Sequence, residues 1–488
     1  MRRDLEKRHG VALNFLTSIT LAVLVLSAVL SIRAHTSGFP YPNGESYYNL
    51  RIAGEIHDDI LFSEDKLQER YYYPNPFHYF LAAAKDILKD KTPVLFPILL
   101  GLASAILFHS LLVRLGFPEK NASFAVMLLS MTPLFIVLYT SLSTTGFVVF
   151  LSLFALNTYF SRKYWETPWK KMGNLSFAAS ILLLSLLSLT SFFAFIMTLV
   201  FIAVFSIYER RSLKSLIPAT LIPLMLVVPL AIFTPFLDVI LQSFDIHALD
   251  LKETFSIFGA SLGLGLFILM LFFTGLIIIW SLMKDLRMYH FLTLLLVIFS
   301  FFSPIMRVYA NMLIIVYCVV AIKFLYYRRW ELEIVKTGTL LLLACALLFS
   351  ALNQADALIS AQPGEELEPI LARLKSLPSG VVLSPPEYGF LVQEYSAKPT
   401  LLDEATKYSD DFSQRLSAQA GLINSSRIID ADPILQETHA RYFLITSEMK
   451  ETLWEGREEE LLFLLKNSER FSRLAGSDEG VELWSLSG

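Results

Sequence analysis

Apolar and polar positions in this chain alternate on the scale of whole helices rather than of helix faces. Over the first 354 residues, long apolar runs are separated by short polar loops. A bilayer core takes about 20 apolar residues per helix. Read by hydropathy, about eleven runs emerge: 11–32, 93–113, 121–140, 145–160, 175–190, 191–207, 216–234, 259–281, 291–305, 308–325 and 337–354. The stretch 175–207 would overshoot a bilayer as one helix, so it is divided at Thr190-Ser191. The pattern predicts a polytopic α-helical membrane domain over residues 1–354.

From residue 355 the pattern changes and charges return. PGEELEPILARLKSLP reads as an amphipathic helix, GVVLS as a strand, EYGFLVQEYSA as a helix and KPTLL as a strand. A helical region to about Ala440 precedes the strand RYFLIT, the helix ETLWEGREEELLFLLKNSERF and the strand VELWSL. Strands alternating with helices predict a layered α/β domain over 355–488. One further long polar segment, residues 33–92, follows the first apolar run. Within it, 46–62 predicts an interfacial helix that offers Tyr47, Tyr48, Leu50, Ile52 and Ile56 to lipid headgroups. YYYPNPFHYFLAAAKDIL then reads as an aromatic-belt loop entering a helix after Pro76.

Charge orients the whole. Short loops rich in Lys and Arg stay cytoplasmic. Such residues sit at Arg2, Arg3, Lys7 and Arg8, at Arg162, Lys163, Lys170 and Lys171, and at Arg210, Arg211 and Lys214. They recur at Lys284 and Arg287 and at Arg328, Arg329 and Lys336. With eleven crossings all five groups fall on one side, whereas loops 141–145 and 235–258 carry only Lys252. The expectation is an uncleaved first helix, a cytoplasmic N-terminus, and residues 33–92 and 355–488 together on the outer face of the cell membrane.

Composition narrows the function. Hydrophobic residues make up 55% of the 488 and charged ones only 17%, which excludes an ordinary soluble enzyme. The net charge of −4, with basic residues confined to short loops, gives no surface for nucleic acid. Cys318 and Cys345 each lie in an apolar run and read as packing residues.

The chemistry concentrates in GFPYPNGESYYNLRI, residues 38–52, polar and aromatic directly after the first crossing. It contains Gly44-Glu45-Ser46-Tyr47-Tyr48-Asn49-Leu50-Arg51. This resembles the G-x-D-x-Y-Y-H-x-R first-loop motif of the oligosaccharyltransferase catalytic subunit, within the GT-C superfamily of membrane glycosyltransferases. Pro385-Pro386-Glu387-Tyr388-Gly389 resembles that family's W-W-D-Y-G, with Tyr-Gly kept and Trp-Trp absent. Arg307 in SPIMRVYANML fits the family's late-helix Arg, and Gln242-Ser243-Phe244-Asp245 is similar to its T-I-x-E motif. At the D-N-E-G position the chain has Ser143-Thr144-Thr145-Gly146, without carboxylates.

The resemblance implies an inverting transfer of a sugar or glycan from a polyprenyl-phosphate or polyprenyl-diphosphate donor to a protein or glycan acceptor. Glu45 then takes the place of the catalytic carboxylate, Arg307 and Arg51 that of donor-phosphate ligands, and Glu387 and Tyr388 the acceptor side. A divalent cation, Mg or Mn, would rest on Glu45 and Asp245. The chemistry fits this set, since an anionic leaving group needs a cation and an acceptor needs a base.

Each candidate also has a plainer role open to it. Glu45 and Asp245 can be solvated loop acids, Arg307 a snorkelling interface residue, and Glu387-Tyr388-Gly389 a helix start. Glu55, His57, Asp58 and Asp59 offer metal ligands or merely a charged face, and His78 reads as interfacial. The Asn121-Ala-Ser sequon falls on the cytoplasmic edge. A non-catalytic relative that binds a lipid-linked glycan or a partner protein is the alternative. A transporter is disfavoured, because the apolar runs carry almost no internal charge.

Overall fold

Each of the eleven apolar runs contains helix in the structure, a computed structural model. Described are residues 2–59, 64–65, 67–68, 70–71, 75–161, 170–208, 216–233, 264–282, 287–300, 304–406, 409, 411–455, 457–477 and 480–487. The helices of the first half are α1 (Arg2–Ser37), α2 (Gly44–Asp58), α3 (Pro76–Leu88), α4 (Thr92–Arg114), α5 (Glu119–Ser130), α6 (Pro133–Tyr139) and α7 (Thr144–Ser161). They continue as α8 (Lys170–Thr190), α9 (Phe192–Tyr208), α10 (Leu216–Phe233), α11 (Leu266–Leu282), α12 (Arg287–Phe299), α13 (Pro304–Tyr327) and α14 (Glu333–Ile359).

The division at Thr190-Ser191 is present as a break between α8 and α9. The run 121–140 is broken as well, because Thr132 caps α6 by accepting from Phe135 N, and Pro133 opens that helix. The two pieces meet at a bend of 72°. Among the described residues, five helices can cross a membrane by length and composition, or six if this bent pair is one span. Five more apolar helices among the described residues are shorter, at 10–17 residues. Among the described residues, the eleven expected crossings thus correspond to five or six full-length apolar helices and five shorter ones. Hydropathy counts apolar residues whether or not the backbone holds one axis.

Close packing divides the chain into a helical unit, Met1–Leu30, Asn75–Phe77 and Val94–Leu358, and a mixed unit, Ser31–Pro74, His78–Pro93 and Ile359–Gly488. In the helical unit, α7 packs along α8 and α11 along α13. Gly275 on α11 lies so close to the Tyr317 backbone that a Cβ there would collide with its carbonyl. Glycine permits this approach, the usual device for backbone contact between apolar helices.

The mixed unit adds α15 (Leu367–Lys375), α16 (Pro386–Ser396), α17 (Phe412–Ile423), α18 (Ile428–Thr438), α19 (Ser447–Thr452) and α20 (Glu460–Asn467). Its strands are β1 (Glu64–Asp65), β2 (Arg70–Tyr71), β3 (Val381–Leu383), β4 (Ala440–Ile445), β5 (Phe471–Gly476) and β6 (Glu482–Leu486). Four of them form a sheet in the order β3-β4-β6-β5, with β3 parallel to β4 and the other pairs antiparallel. Leu383, Phe443, Ile445, Trp454, Leu461 and Trp484 belong to the core cluster around it.

The expected strands GVVLS, RYFLIT and VELWSL are present. KPTLL contributes a single parallel bridge, Thr400 to Val382. The long helix expected over 451–471 splits into α19 and α20 and gives way to β5. Residues 31–74 and 78–93 cluster with the C-terminal region rather than with the helical unit, because α2 packs along α16 and Gln68 reaches Thr400.

Candidate active site

Helix α1 ends where Gly38 turns the chain, at a φ of 71°, toward α2. That left-handed conformation suits glycine, and a side chain there would also run into the Glu368 carboxylate. Buried Arg33 donates to the Tyr41 carbonyl at 3.1 Å and to the Ala361 carbonyl at 2.7 Å, which ties this turn to the C-terminal region. Tyr47 donates from its hydroxyl to the Tyr41 carbonyl at 2.8 Å. Glu45 follows in the first turn of α2, where a negative charge is favoured by the helix dipole.

Helix α2 does not present its apolar face to lipid headgroups as the sequence implied. Tyr47, Leu50, Ile52 and Ile56 are buried. The Tyr47 ring lies 5.9 Å from that of Tyr395, and the Tyr48 ring 4.9 Å from that of Phe390, both partners on α16. Aromatic pairs of this kind contribute about 0.5–1.5 kcal/mol each beyond their burial, and α16 supplied partners that the sequence could not reveal.

This packing brings the two sequence motifs together. A Cβ on Gly44 would stand 3.2 Å from the Glu387 carbonyl oxygen, 3.3 Å from Glu404 Oε2 and 3.3 Å from the Phe390 ring. The Gly44-Glu45 end of α2 therefore abuts Glu387-Tyr388-Gly389 at the start of α16. Gly389 is as constrained, since its Cβ would stand 2.6 Å from Asp403 Cβ and 2.7 Å from the Leu402 carbonyl. Asp403 is buried and accepts from Gln393 Nε2 at 2.9 Å and from Thr406 N at 2.8 Å, which fixes the turn that carries Glu404.

The topology explains the meeting point. Strand β3, the Thr400 bridge and β4 run parallel. Their carboxyl ends lead into Ser384–Gly389, Leu401–Glu404 and Thr446–Glu448. Ligand sites in sheets of this kind gather at the carboxyl ends of parallel strands. Tyr388 lines a cleft there with Glu366, Thr446 and Ser447. Burial, reinforced by the charges of Glu448, Glu366 and Glu387, pushes the Tyr388 hydroxyl up to about 12. It stays protonated at neutral pH as a hydrogen-bond donor.

Arg51 has a definite set of partners. Its guanidinium is bidentate on Asp65 and also donates to Glu55 at 2.7 Å. Burial draws its pKa down, but the Asp65 and Glu55 carboxylates more than offset this and raise it. The buried His78 ring bonds Asn49 Oδ1 through Nε2 at 2.7 Å, beside the Tyr48 ring. In the resembling motif, position 49 is a histidine.

Arg307 lies in the helical unit, in the first turn of α13, buried and donating from Nε to the Ser300 carbonyl at 3.0 Å. Ser143 caps α7 by accepting from Gly146 N at 3.1 Å. Asp245 lies outside the described residues. Among the described residues no three His, Cys, Asp or Glu side chains are grouped so as to hold a metal ion. Sequence reasoning missed Glu404, and its signal was an acid pair, Asp403-Glu404, directly after a strand-like segment.

No family profile and no curated protein sequence matches the chain. Solved structures do. The oligosaccharyltransferase of Archaeoglobus fulgidus, tethered to an acceptor peptide containing the NVT sequon, superposes with a TM-score of 0.62 at 13% identity. That match covers 97% of this chain and 74% of the other. ArnT from Cupriavidus metallidurans, bound to undecaprenyl phosphate, gives a TM-score of 0.59 at 13% identity over 96% of this chain and 97% of that one. The chain has the GT-C fold. The mycobacterial arabinofuranosyltransferase AftD shares the GT-C fold too, with a TM-score of 0.53 at 14% identity over 99% of this chain and 42% of that one.

Proposed function

We propose that the chain is a GT-C glycosyltransferase that moves a sugar or glycan, with inversion, from a polyprenyl-phosphate or polyprenyl-diphosphate donor to an acceptor at the outer membrane face. One observation carries this reading: the Gly44-Glu45 end of α2 lies against Glu387-Tyr388-Gly389, so both short motif matches form one place in the fold. Structures of the same fold support the donor class. One holds undecaprenyl phosphate, and an archaeal oligosaccharyltransferase holds a dolichol-phosphate with an inhibitory peptide.

In this reading Glu45 is the base that takes the acceptor proton, and Tyr388 donates to the acceptor from the cleft. Arg307 meets the anionic leaving group. Arg51 acts at one remove: gripped by Asp65 and Glu55, it braces α2 and so aims Glu45. In this reading the N-terminus is cytoplasmic and the α/β region lies outside, as the basic residues of the short loops favour.

A second reading, a non-catalytic binder of lipid-linked glycan or of a partner protein, is favoured by the α7 entrance. There Ser143 serves as a helix cap where the resembling motif has carboxylates. One experiment separates the two: transfer by the purified protein from a panel of polyprenyl-phosphate and polyprenyl-diphosphate sugars, beside Glu45→Gln. Turnover lost in the variant with donor binding kept supports the enzyme. Donor binding without turnover in either protein supports the binder and sinks the enzyme.

A further inference from the structure

A cavity in the helical unit lies among α4, α5, α6, α7 and α13, beside the bend between α5 and α6. Most of its wall is apolar, but Ser104, Tyr139 and Asn311 also line it. Among the described residues, Ser104 Oγ, Tyr139 OH and Asn311 Oδ1 are buried and make no hydrogen bond. The Tyr139 and Ser104 hydroxyls stand side by side, within interacting range of each other. Three polar atoms so placed in an apolar helical unit are costly unless something joins them.

The orientation of Asn311 is fixed by its other half. Its Nδ2 donates to Thr132 Oγ1 at 3.1 Å, and that hydroxyl already donates to the Leu129 carbonyl at 2.8 Å. Thr132 Oγ1 can therefore only accept, so Asn311 Oδ1 is the acceptor left over. An acceptor beside two hydroxyls, with no cation in the wall, fits a small neutral hydrogen-bond donor and not an anion. The space for the centre of a water-sized sphere is about 10 Å³, which is one water molecule.

We propose that Ser104, Tyr139 and Asn311 bind one buried water that joins α4, α6 and α13 beside the α5–α6 bend. The water donates to Asn311 Oδ1 and bonds both hydroxyls, so each of the three atoms gains a partner. Its removal loosens the bend, because Asn311 also holds Thr132, the residue that caps α6.

The test uses the full chain in lipid nanodiscs. A cryo-EM map that resolves ordered solvent is expected to show one water-sized peak within hydrogen-bond reach of all three side chains. An empty cavity, or an elongated lipid density, overturns the proposal. Thermal unfolding gives a second measurement. Tyr139→Phe and Asn311→Leu are each expected to lower the Tm, and the double variant by clearly less than the two shifts added, since either change alone releases the water. Additive shifts overturn it.

Discussion

Arg51 holds Asp65 through two parallel hydrogen bonds, Nη1 to Oδ1 at 2.8 Å and Nη2 to Oδ2 at 2.7 Å. Both side chains are almost wholly buried. Removing one partner leaves an uncompensated charge, which costs about 3–5 kcal/mol. Arg51→Ala, which strands Asp65, should therefore destabilise the mixed unit by that amount in thermal unfolding of the detergent-solubilised protein, and Asp65→Ala by less, because Glu55 still pairs with Arg51 at 2.7 Å. Replacing both by leucine should recover most of the loss. An unchanged Tm in Arg51→Ala, with donor binding lost, would return this residue to the phosphate.

The close approach of α2, α16 and the 402–404 turn predicts a graded pair of variants. A methyl at Gly389 meets backbone and Cβ atoms that cannot step aside, so Gly389→Ala should cost about 1–3 kcal/mol. A methyl at Gly44 meets one carbonyl oxygen, a movable carboxylate and a ring edge at 3.2–3.3 Å. Gly44→Ala should cost less stability but reduce transfer at least as strongly as Gly389→Ala, because it shifts Glu45 directly. Unfolding and turnover measured on the same preparations would show whether the two orders differ.

Acid should act on the mixed unit through Glu482. Burial raises its pKa, but Lys450 at 2.8 Å, the Trp484 indole N–H at 2.8 Å and the charge of Arg473 prevail and hold it below the ordinary 4.5. A depressed folded pKa stabilises above the unfolded value, and that stability is lost as pH falls through the folded one. Stability should thus be full above pH 4.5 and decline below it. Glu482→Gln should lower the Tm at neutral pH and flatten its fall in acid. A parallel fall in both proteins would count against this ion pair.

Arg307 is predicted to act on donor affinity rather than on folding. Arg307→Ala should raise the donor KM about tenfold or more, equivalent to about 1.4 kcal/mol, with a smaller rise in Arg307→Lys, which keeps the charge. An unchanged KM in Arg307→Ala, measured over a donor titration, would remove this residue from the phosphate site.

The physical origin of each signal decided what was legible. Apolar runs marked the helices because burial in lipid demands composition alone, and the break at Ser191 followed from length. The α5–α6 bend was also written in the sequence, as Thr132-Pro133, a cap followed by a first-turn proline, but inside an apolar run hydropathy masks it. Strand β5 was lost because Leu461–Leu465 reads as helix and nothing before Asn467 announces its end. The aromatic face of α2 looked like a headgroup face for want of a visible partner, and Phe390 and Tyr395 lie more than three hundred residues away. Arg51 carried a motif position, yet Asp65 could be found only by a fold that closes the short β1–β2 ladder. Glu45, Glu387 and Tyr388 were legible as motif letters; that they share one corner was not.

The meeting of Gly275 with the Tyr317 backbone has a mechanical consequence. Two helices in contact at the level of main-chain atoms interlock like a tooth in a notch, so α11 cannot slide or roll along α13 without first separating from it. The pair behaves as a single strut, and Arg307 is fixed to it. Any flexing within the helical unit is therefore better sought at the elbow where α5 meets α6.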